Sequence, residues 1–231
     1  MLTRNQTPTA DPHDVYRLGG IVSIIQSALF IHIALCALGL GIDNFISSGF
    51  GDLHRQSPRL FVALCTSFVL IATLGLAITP AEKKLIAGAD DSLATWGSNL
   101  AYLGHMGTIA FFSWWLAFVS SHHDDTTVSW ANVLLPLKWG LTFELFFVGA
   151  WVWIMAYVIF RHQILSKRFG IISIAKATSF WFALAGLFVN DKWWILSGVM
   201  LVTAVFGPWW HMWIALRFFL REEASATTAA R

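Results

Sequence analysis

The sequence predicts an all-α integral membrane protein, a bundle of six transmembrane helices with both termini cytoplasmic. Three observations support this fold. First, 57% of the 231 residues are hydrophobic and only 12% are charged, whereas soluble domains carry about 25% charged residues. Second, six apolar runs approach the ~20 residues that cross the ~30 Å hydrocarbon core of a bilayer. Third, lysines and arginines gather at alternate connections, as the positive-inside rule requires.

The six runs are separated by short polar connections. The second run stops at Thr79-Pro80, and a charged Glu-Lys-Lys sequence follows it. The fourth is the longest and leads into a basic segment, residues 161–168. The fifth is the shortest and is interrupted by Lys176, and only residues 190–192 separate it from the sixth, which predicts an antiparallel helix pair. The runs cover residues 20–42, 59–79, 95–119, 133–160, 171–189 and 193–217.

The basic residues orient these runs. The connections after the second and fourth runs and the C-terminal segment carry Lys and Arg, whereas residues 120–132 carry none. We therefore predict a cytoplasmic tail over 1–18, a membrane domain over 19–217 and a second cytoplasmic tail over 218–231. Arg55 and Arg59, in the first outer loop, oppose this pattern. The predicted location is a bacterial-type inner membrane, with the first helix retained as an anchor.

Composition also restricts the function. A net charge of +2 without a basic patch argues against nucleic-acid binding. The lipid bilayer is the expected partner, and other membrane subunits are further candidates. No G-x-S-x-G sequence and no glycine-rich phosphate loop is present, so the sequence favours a protein that is not an enzyme.

Ionisable residues are expensive in a bilayer interior, so each is a candidate site residue. Lys138 and Lys176 lie near the ends of their runs, and we expect both to extend their ammonium groups to the lipid headgroups. Glu144 is the only acidic residue inside an apolar run. The remaining candidates are three histidines, His32, His105 and His211.

Each of the three histidines has small residues one turn away, for example Ala28 and Cys36 around His32. Because membrane helices approach each other along small residues, we predict that all three face the bundle interior. Counting about 1.5 Å per residue places His32, His105 and Glu144 together near the midplane. His211 is predicted to be separate and shallower, about 9 Å from the cytoplasmic surface, beside a helix break expected at Pro208.

Several functions fit these residues. Two facing histidines could ligate haem b or a chlorin, with His32, His105, Glu144 and His211 as the cofactor-binding candidates. Histidines plus a carboxylate could hold a divalent metal, although no HxxxH, HExxH or HxxEH spacing is present and no metal site is predicted. A Glu–His chain could relay protons. In the simplest interpretation each polar side chain only stabilises helix packing, by ~1 kcal/mol.

The leading prediction from sequence is a non-catalytic accessory or packing subunit, or a binder of a lipophilic small molecule. The first alternative is a haem- or pigment-carrying subunit for electron transfer or light harvesting. The second alternative is a proton-coupled carrier of a small solute. The sequence His122–Asp125 resembles a metal tag, but we predict an ordinary solvated loop there.

Two stretches of the chain suggest a family. RLGGIVSII at residues 17–25 and GAWVWIMAYVIFRHQILSKRFGIISIA at 149–175 resemble a family of uncharacterised bacterial six-helix membrane proteins, one of the domains of unknown function. The last span, with GPWWHMWIAL, is similar to the family's ending, but His211 stands near the place of an acidic residue. The resemblance covers about half of the chain; it implies a six-helix fold and its topology, and no activity.

Overall fold

A computed structural model of the chain describes residues 12–41, 57–121 and 138–229. These residues form six helices and no strand, which confirms the all-α prediction. The helices are α1 Pro12–Leu40, α2 Pro58–Ala87, α3 Asp91–Ser121, α4 Lys138–His162, α5 Lys167–Val189, and α6, which begins at Lys192 and ends at Ala229.

Five of these helices, α1, α2, α4, α5 and α6, are long and apolar enough to cross a membrane. The remaining helix, α3, has 31 residues, and polar residues such as His105 and Thr108 lie in its middle. The chain is therefore a helical protein with several membrane-compatible helices, in agreement with the low charge of the sequence.

The helices pack in chain order. Each helix contacts the next one, and α6 returns to contact α1, so the six helices enclose a common interior. Two apolar clusters fill this interior. One contains Trp151, Phe169 and Phe218, and the other contains Phe61 and Trp115. Polar side chains lie where the two clusters meet.

The helix α2 does not end at Thr79-Pro80, and that part of the sequence prediction is wrong. It continues through Pro80 to Ala87. Proline removes one backbone donor from the helix ladder, and here the Thr79 hydroxyl donates to the Gly75 carbonyl at 2.7 Å in the preceding turn. As a result the last turns of α2 carry Glu82 into the interior, where it is 4% exposed.

The break expected at Pro208 does not occur either. The helix α6 widens into a π-helical segment over Leu201–Phe206, and the Gly207 amide donates to the Val202 carbonyl five residues earlier. The helix then continues through Pro208. The wider turn takes up the proline ring, which cannot fit within a regular α-helical turn. A second π-helical segment lies in α4 at Glu144–Val148.

Packed residues lie close to both ends of the described helices, since Tyr16 is 6% exposed and Phe218 is fully buried. The division into tails over 1–18 and 218–231 and a membrane domain over 19–217 stays a prediction. The predicted loop His122–Asp125 and residues 1–11 of the N-terminal tail lie outside the described residues.

The pair α5–α6 approaches closely enough to generate a prediction about stability. A Cβ at Gly198 would lie 2.5 Å from the backbone nitrogen of Ala183, and a backbone atom cannot move away as a flexible side chain can. We expect Gly198→Ala to lower the free energy of unfolding by about 1–3 kcal/mol, although alanine favours a helix over glycine by about 1 kcal/mol. Thermal unfolding in detergent measures this difference.

The matched control is Gly88→Ala, because a Cβ at Gly88 meets nothing within 4 Å. This variant should unfold at the wild-type temperature. An unchanged transition for Gly198→Ala would contradict the close backbone contact between α5 and α6.

Candidate functional site

Ionisable side chains from five different helices line one small cavity inside the bundle. Gln26 of α1 joins them, so every helix contributes to this cavity. Its volume is about 20 Å³, which is enough for about one water molecule. Each of the five ionisable residues is no more than 5% exposed. They are Glu82 of α2, His105 of α3, Glu144 of α4, Lys176 of α5 and His211 of α6, and we call them the ionisable cluster.

Glu82 is held by a tryptophan. The Trp151 indole N–H donates to Glu82 Oε2 at 2.7 Å. The indole itself packs on α3, where a Cβ at Gly97 would lie 2.5 Å from its ring. The absence of a side chain at Gly97 therefore lets Trp151 reach the carboxylate. Because an indole nitrogen can only donate, this contact supplies Glu82 with one of the hydrogen bonds that it loses on leaving water.

Lys176 lies deep in the bundle and does not extend to the headgroups, so the prediction from its sequence position is wrong. Its Nζ lies 3.1 Å from His211 Nε2 and 3.8 Å from the centre of the Trp210 ring. The Phe30 ring covers it at 5.5 Å and also stacks on His211 at 5.2 Å. Aromatic faces attract an ammonium group that has lost its water, so these rings stabilise Lys176 inside the bundle.

Glu144 contacts α3 at two points. Its Oε2 lies 3.0 Å from the Thr108 hydroxyl and 3.4 Å from His105 Nδ1. The second distance is short enough for an ion pair when the imidazole is protonated, although the ring is not aligned as a hydrogen bond. The His105 ring lies directly on Gly75 of α2, where a Cβ would collide with it.

The ionisable cluster is elongated along the helices. Glu82 lies five residues before the end of α2 at Ala87, whereas His105 lies 14 residues after the start of α3 at Asp91. At about 1.5 Å per residue these positions are roughly 7 and 21 Å from the α2–α3 connection. The backbone positions that carry the cluster therefore extend over about 14 Å of the bundle, roughly half of the ~30 Å hydrocarbon thickness.

Some buried polar atoms of the cavity are not hydrogen-bonded to the described residues. They include Gln26 Oε1 and His211 Nδ1. Gln26 uses its amide group to donate to the Ile71 carbonyl at 3.1 Å, so its oxygen remains available. Buried polar atoms in native proteins almost always have a partner. The cavity has room for a water molecule beside them, and it is therefore suited to an internal, hydrated site.

The structure brings together some of the predicted site residues and excludes one. His105 and Glu144 meet, as predicted. His32 does not join them, because it is exposed on the outer face of α1. Its Nδ1 lies 2.9 Å from the Ser67 hydroxyl and its ring lies 3.7–3.8 Å from Cys36 Sγ. His211 is not a separate group, since it lines the same cavity as His105.

Glu82 is the member that the sequence prediction missed. Its neighbours in sequence, Pro80, Lys83 and Lys84, are typical of a helix end at the membrane–water interface. A signal was nevertheless present, because Ile71, Gly75, Ile78 and Glu82 recur at helical spacing and all face inward. Continuing this stripe through the proline identifies the buried carboxylate.

The cavity does not fit a haem or chlorin between the histidines. Its volume of about 20 Å³ is far below the several hundred Å³ typical of pockets for organic ligands. The His105 ring is covered by Gly75, and His211 Nε2 faces Lys176, so neither imidazole presents a nitrogen to open space of that size. Among the residues that the structure describes, no three His, Cys, Asp or Glu side chains converge as metal ligands.

Comparisons with known proteins add no assignment: no family model, no curated protein and no solved structure matches this chain. The function of the protein is therefore inferred from the ionisable cluster itself.

The contact between Trp151 and Glu82 generates a second prediction. Trp151→Phe keeps most of the aromatic packing but removes the donor that faces the carboxylate. We expect a loss of about 1–2 kcal/mol in the free energy of unfolding, because a buried charged acceptor is left with one hydrogen bond fewer. In Glu82→Gln, the same tryptophan substitution should have a smaller effect. A double-mutant cycle of thermal unfolding in detergent measures the difference.

Trp193→Phe is the control, since Trp193 is 57% exposed and should tolerate the change. Additive effects of Trp151→Phe and Glu82→Gln would show that the indole N–H does not stabilise the carboxylate.

Proposed function

We propose that this chain is a six-span membrane protein that moves protons through its interior. The observation that carries the proposal is the ionisable cluster, in which five acid–base side chains from five helices surround a cavity of water size. All five are buried to 95% or more. Such groups in a membrane interior typically form proton relays or ion pathways.

A purely structural role does not explain why these residues are ionisable. Polar contacts between membrane helices typically contribute only about 0.6–1.7 kcal/mol, and neutral amides or hydroxyls provide them. Burying a carboxylate or an ammonium group costs several kcal/mol more unless a partner compensates it. Two carboxyls and one lysine in the same cavity are therefore better explained by a function that needs groups able to gain and lose protons.

The distances in the cluster suit proton transfer. Lys176 Nζ and His211 Nε2 are 3.1 Å apart, and His105 Nδ1 and Glu144 Oε2 are 3.4 Å apart. The first pair is within direct hydrogen-bond reach, whereas the His105 ring must turn towards Glu144 Oε2 or use a bridging water. Glu82 lines the same cavity, nearer the end that carries the α2–α3 connection.

The finer topology is part of the proposal. The helix α3 packs between α2 and α4 and supplies His105 to the cluster, which supports a sixth span with both termini on one side of a bacterial-type inner membrane. The end with the basic segment 161–168 is then cytoplasmic. Membership of the six-helix family that residues 149–175 resemble stays a prediction. A binding site for a lipophilic molecule is less well supported, because the cavity is too small for one.

A reconstituted system tests the proposal. Purified protein is placed in liposomes that contain a pH-sensitive dye, and a potassium gradient with valinomycin drives proton entry. We expect proton flux above that of empty liposomes. Glu82→Gln and Glu144→Gln should each reduce this flux at least about tenfold, because an amide cannot take up and release a proton as a carboxyl group does.

Two controls locate the effect in the cluster. Asp91→Asn replaces an exposed carboxyl at the start of α3, and His32→Gln replaces the histidine that lies outside the cavity. Both variants should retain wild-type flux, whereas His105→Gln and His211→Gln should reduce it. Flux equal to that of empty liposomes, or unchanged flux in both glutamate variants, would overturn the proposal.

A further inference from the structure

The two carboxyls of the ionisable cluster face a single lysine. Lys176 lines the same cavity as both Glu82 and Glu144. The other titratable groups around this cavity are His105 and His211, and the helix α1 contributes only the neutral residues Gln26 and Phe30. With both histidines neutral, two ionised carboxyls would leave an uncompensated negative charge in the bundle interior, which is expensive. Charge balance therefore requires one of the two carboxyls to carry a proton.

The hydrogen-bond partners of Glu82 favour its ionised form. The Trp151 indole can only donate, and it donates to Glu82 Oε2 at 2.7 Å, a short distance that is typical of a charged acceptor. Lys176 lines the same cavity as Glu82, so its ammonium group can balance the Glu82 carboxylate.

The surroundings of Glu144 favour its protonated form. The Thr108 hydroxyl has one hydrogen but three oxygen neighbours, namely the carbonyls of Gly104 at 3.0 Å and Gly140 at 3.3 Å and Glu144 Oε2 at 3.0 Å. When this hydrogen points to either carbonyl, the hydroxyl oxygen is left as an acceptor towards Glu144. A protonated Glu144 satisfies it by donating, whereas two facing lone pairs would repel each other.

We propose that Glu144 is the loaded proton-binding site of the resting protein, where its carboxyl donates to Thr108 while Lys176 balances ionised Glu82. This assignment rests on the proposed proton-moving function and names the group that holds the proton. It also identifies Thr108 as a positioning residue, whose hydroxyl orients the Glu144 carboxyl. The hydrogen bonds of Thr108 to described residues reach no other member of the ionisable cluster.

The step that unloads the site follows from the geometry. The O–H bond of Glu144 breaks and an N–H bond forms at His105 Nδ1, 3.4 Å from Oε2. The electron pair of the O–H bond stays on the carboxylate, and the nitrogen lone pair takes the proton. The products are a carboxylate and an imidazolium, so the total charge is unchanged. This transfer requires neutral His105 to carry its hydrogen on Nε2 beforehand. The resting state returns when the imidazolium has released one proton and Glu144 has taken one up.

Infrared spectroscopy of the purified protein at neutral pH tests the assignment, because a protonated carboxyl has a carbonyl stretch well separated from carboxylate bands. The wild type should show such a band. Because the carboxyl lies inside the bundle, the band should respond only slowly when the solvent is exchanged for deuterated water. Glu144→Gln should lose the band, and Glu82→Asp, which keeps a carboxylate for Lys176 to balance, should leave it unshifted. Thr108→Val should shift it to higher wavenumber, since the carboxyl loses its acceptor, while Asp91→Asn leaves it unchanged.

The outcomes separate this inference from the proposed function. Retention of the band in Glu144→Gln would overturn the assignment, and a shift of the band in Glu82→Asp would place the proton on Glu82. Absence of any such band in a wild type that still conducts protons would overturn the inference alone. An unshifted band in Thr108→Val would contradict the hydrogen bond to Thr108. Thermal unfolding of each variant, compared with the wild type, establishes that the spectra come from folded protein.

Discussion

The constraint on which the structure depends is that charge inside the bundle must be compensated by the bundle itself. Neither lipid nor a packed apolar core can solvate Glu82, Glu144 or Lys176, so each needs partners from another helix. Trp151 supplies a donor to Glu82, and the rings of Trp210 and Phe30 cover Lys176. Five helices, α2 to α6, each bring one ionisable member to the shared cavity, and α1 brings the neutral amide of Gln26.

Irregular backbone accompanies this cluster. The helix α2 tolerates Pro80 and so keeps Glu82 on a continuous helix, while a π-helical segment in α6 precedes Pro208 and His211. The π-helical segment of α4 begins at Glu144 itself. Wider turns of this kind are less stable than regular helix and occur frequently at functional sites. Their occurrence in the two helices that carry Glu144 and His211 indicates that the backbone is adapted to the site and not only to the membrane.

Much of the fold could be predicted from the sequence, because lipid leaves an apolar run few alternatives to a helix. His105 and Glu144 could also be placed, since small residues and depth locate them near the middle of their runs. Lys176 and Glu82 could not. The rule that a lysine near a run end reaches the headgroups assumes free space outside the helix, and the rings of Trp210 and Phe30 provide a better partner inside. The rule that Pro80 ends a helix fails because α2 has packed neighbours on both sides.

A cluster that takes one ionisable side chain from each of five helices has a further physical consequence. A proton that moves within it changes the charge on one helix relative to its neighbours. Because the interior has a low dielectric constant, the resulting change in electrostatic energy is larger than for the same charge change at a surface. The proposed transfer from Glu144 to His105 would create opposite charges on α4 and α3, which attract each other. It would also place a new carboxylate in the cavity that Lys176 of α5 lines. On this proposal, proton position and helix packing are coupled through the same few contacts.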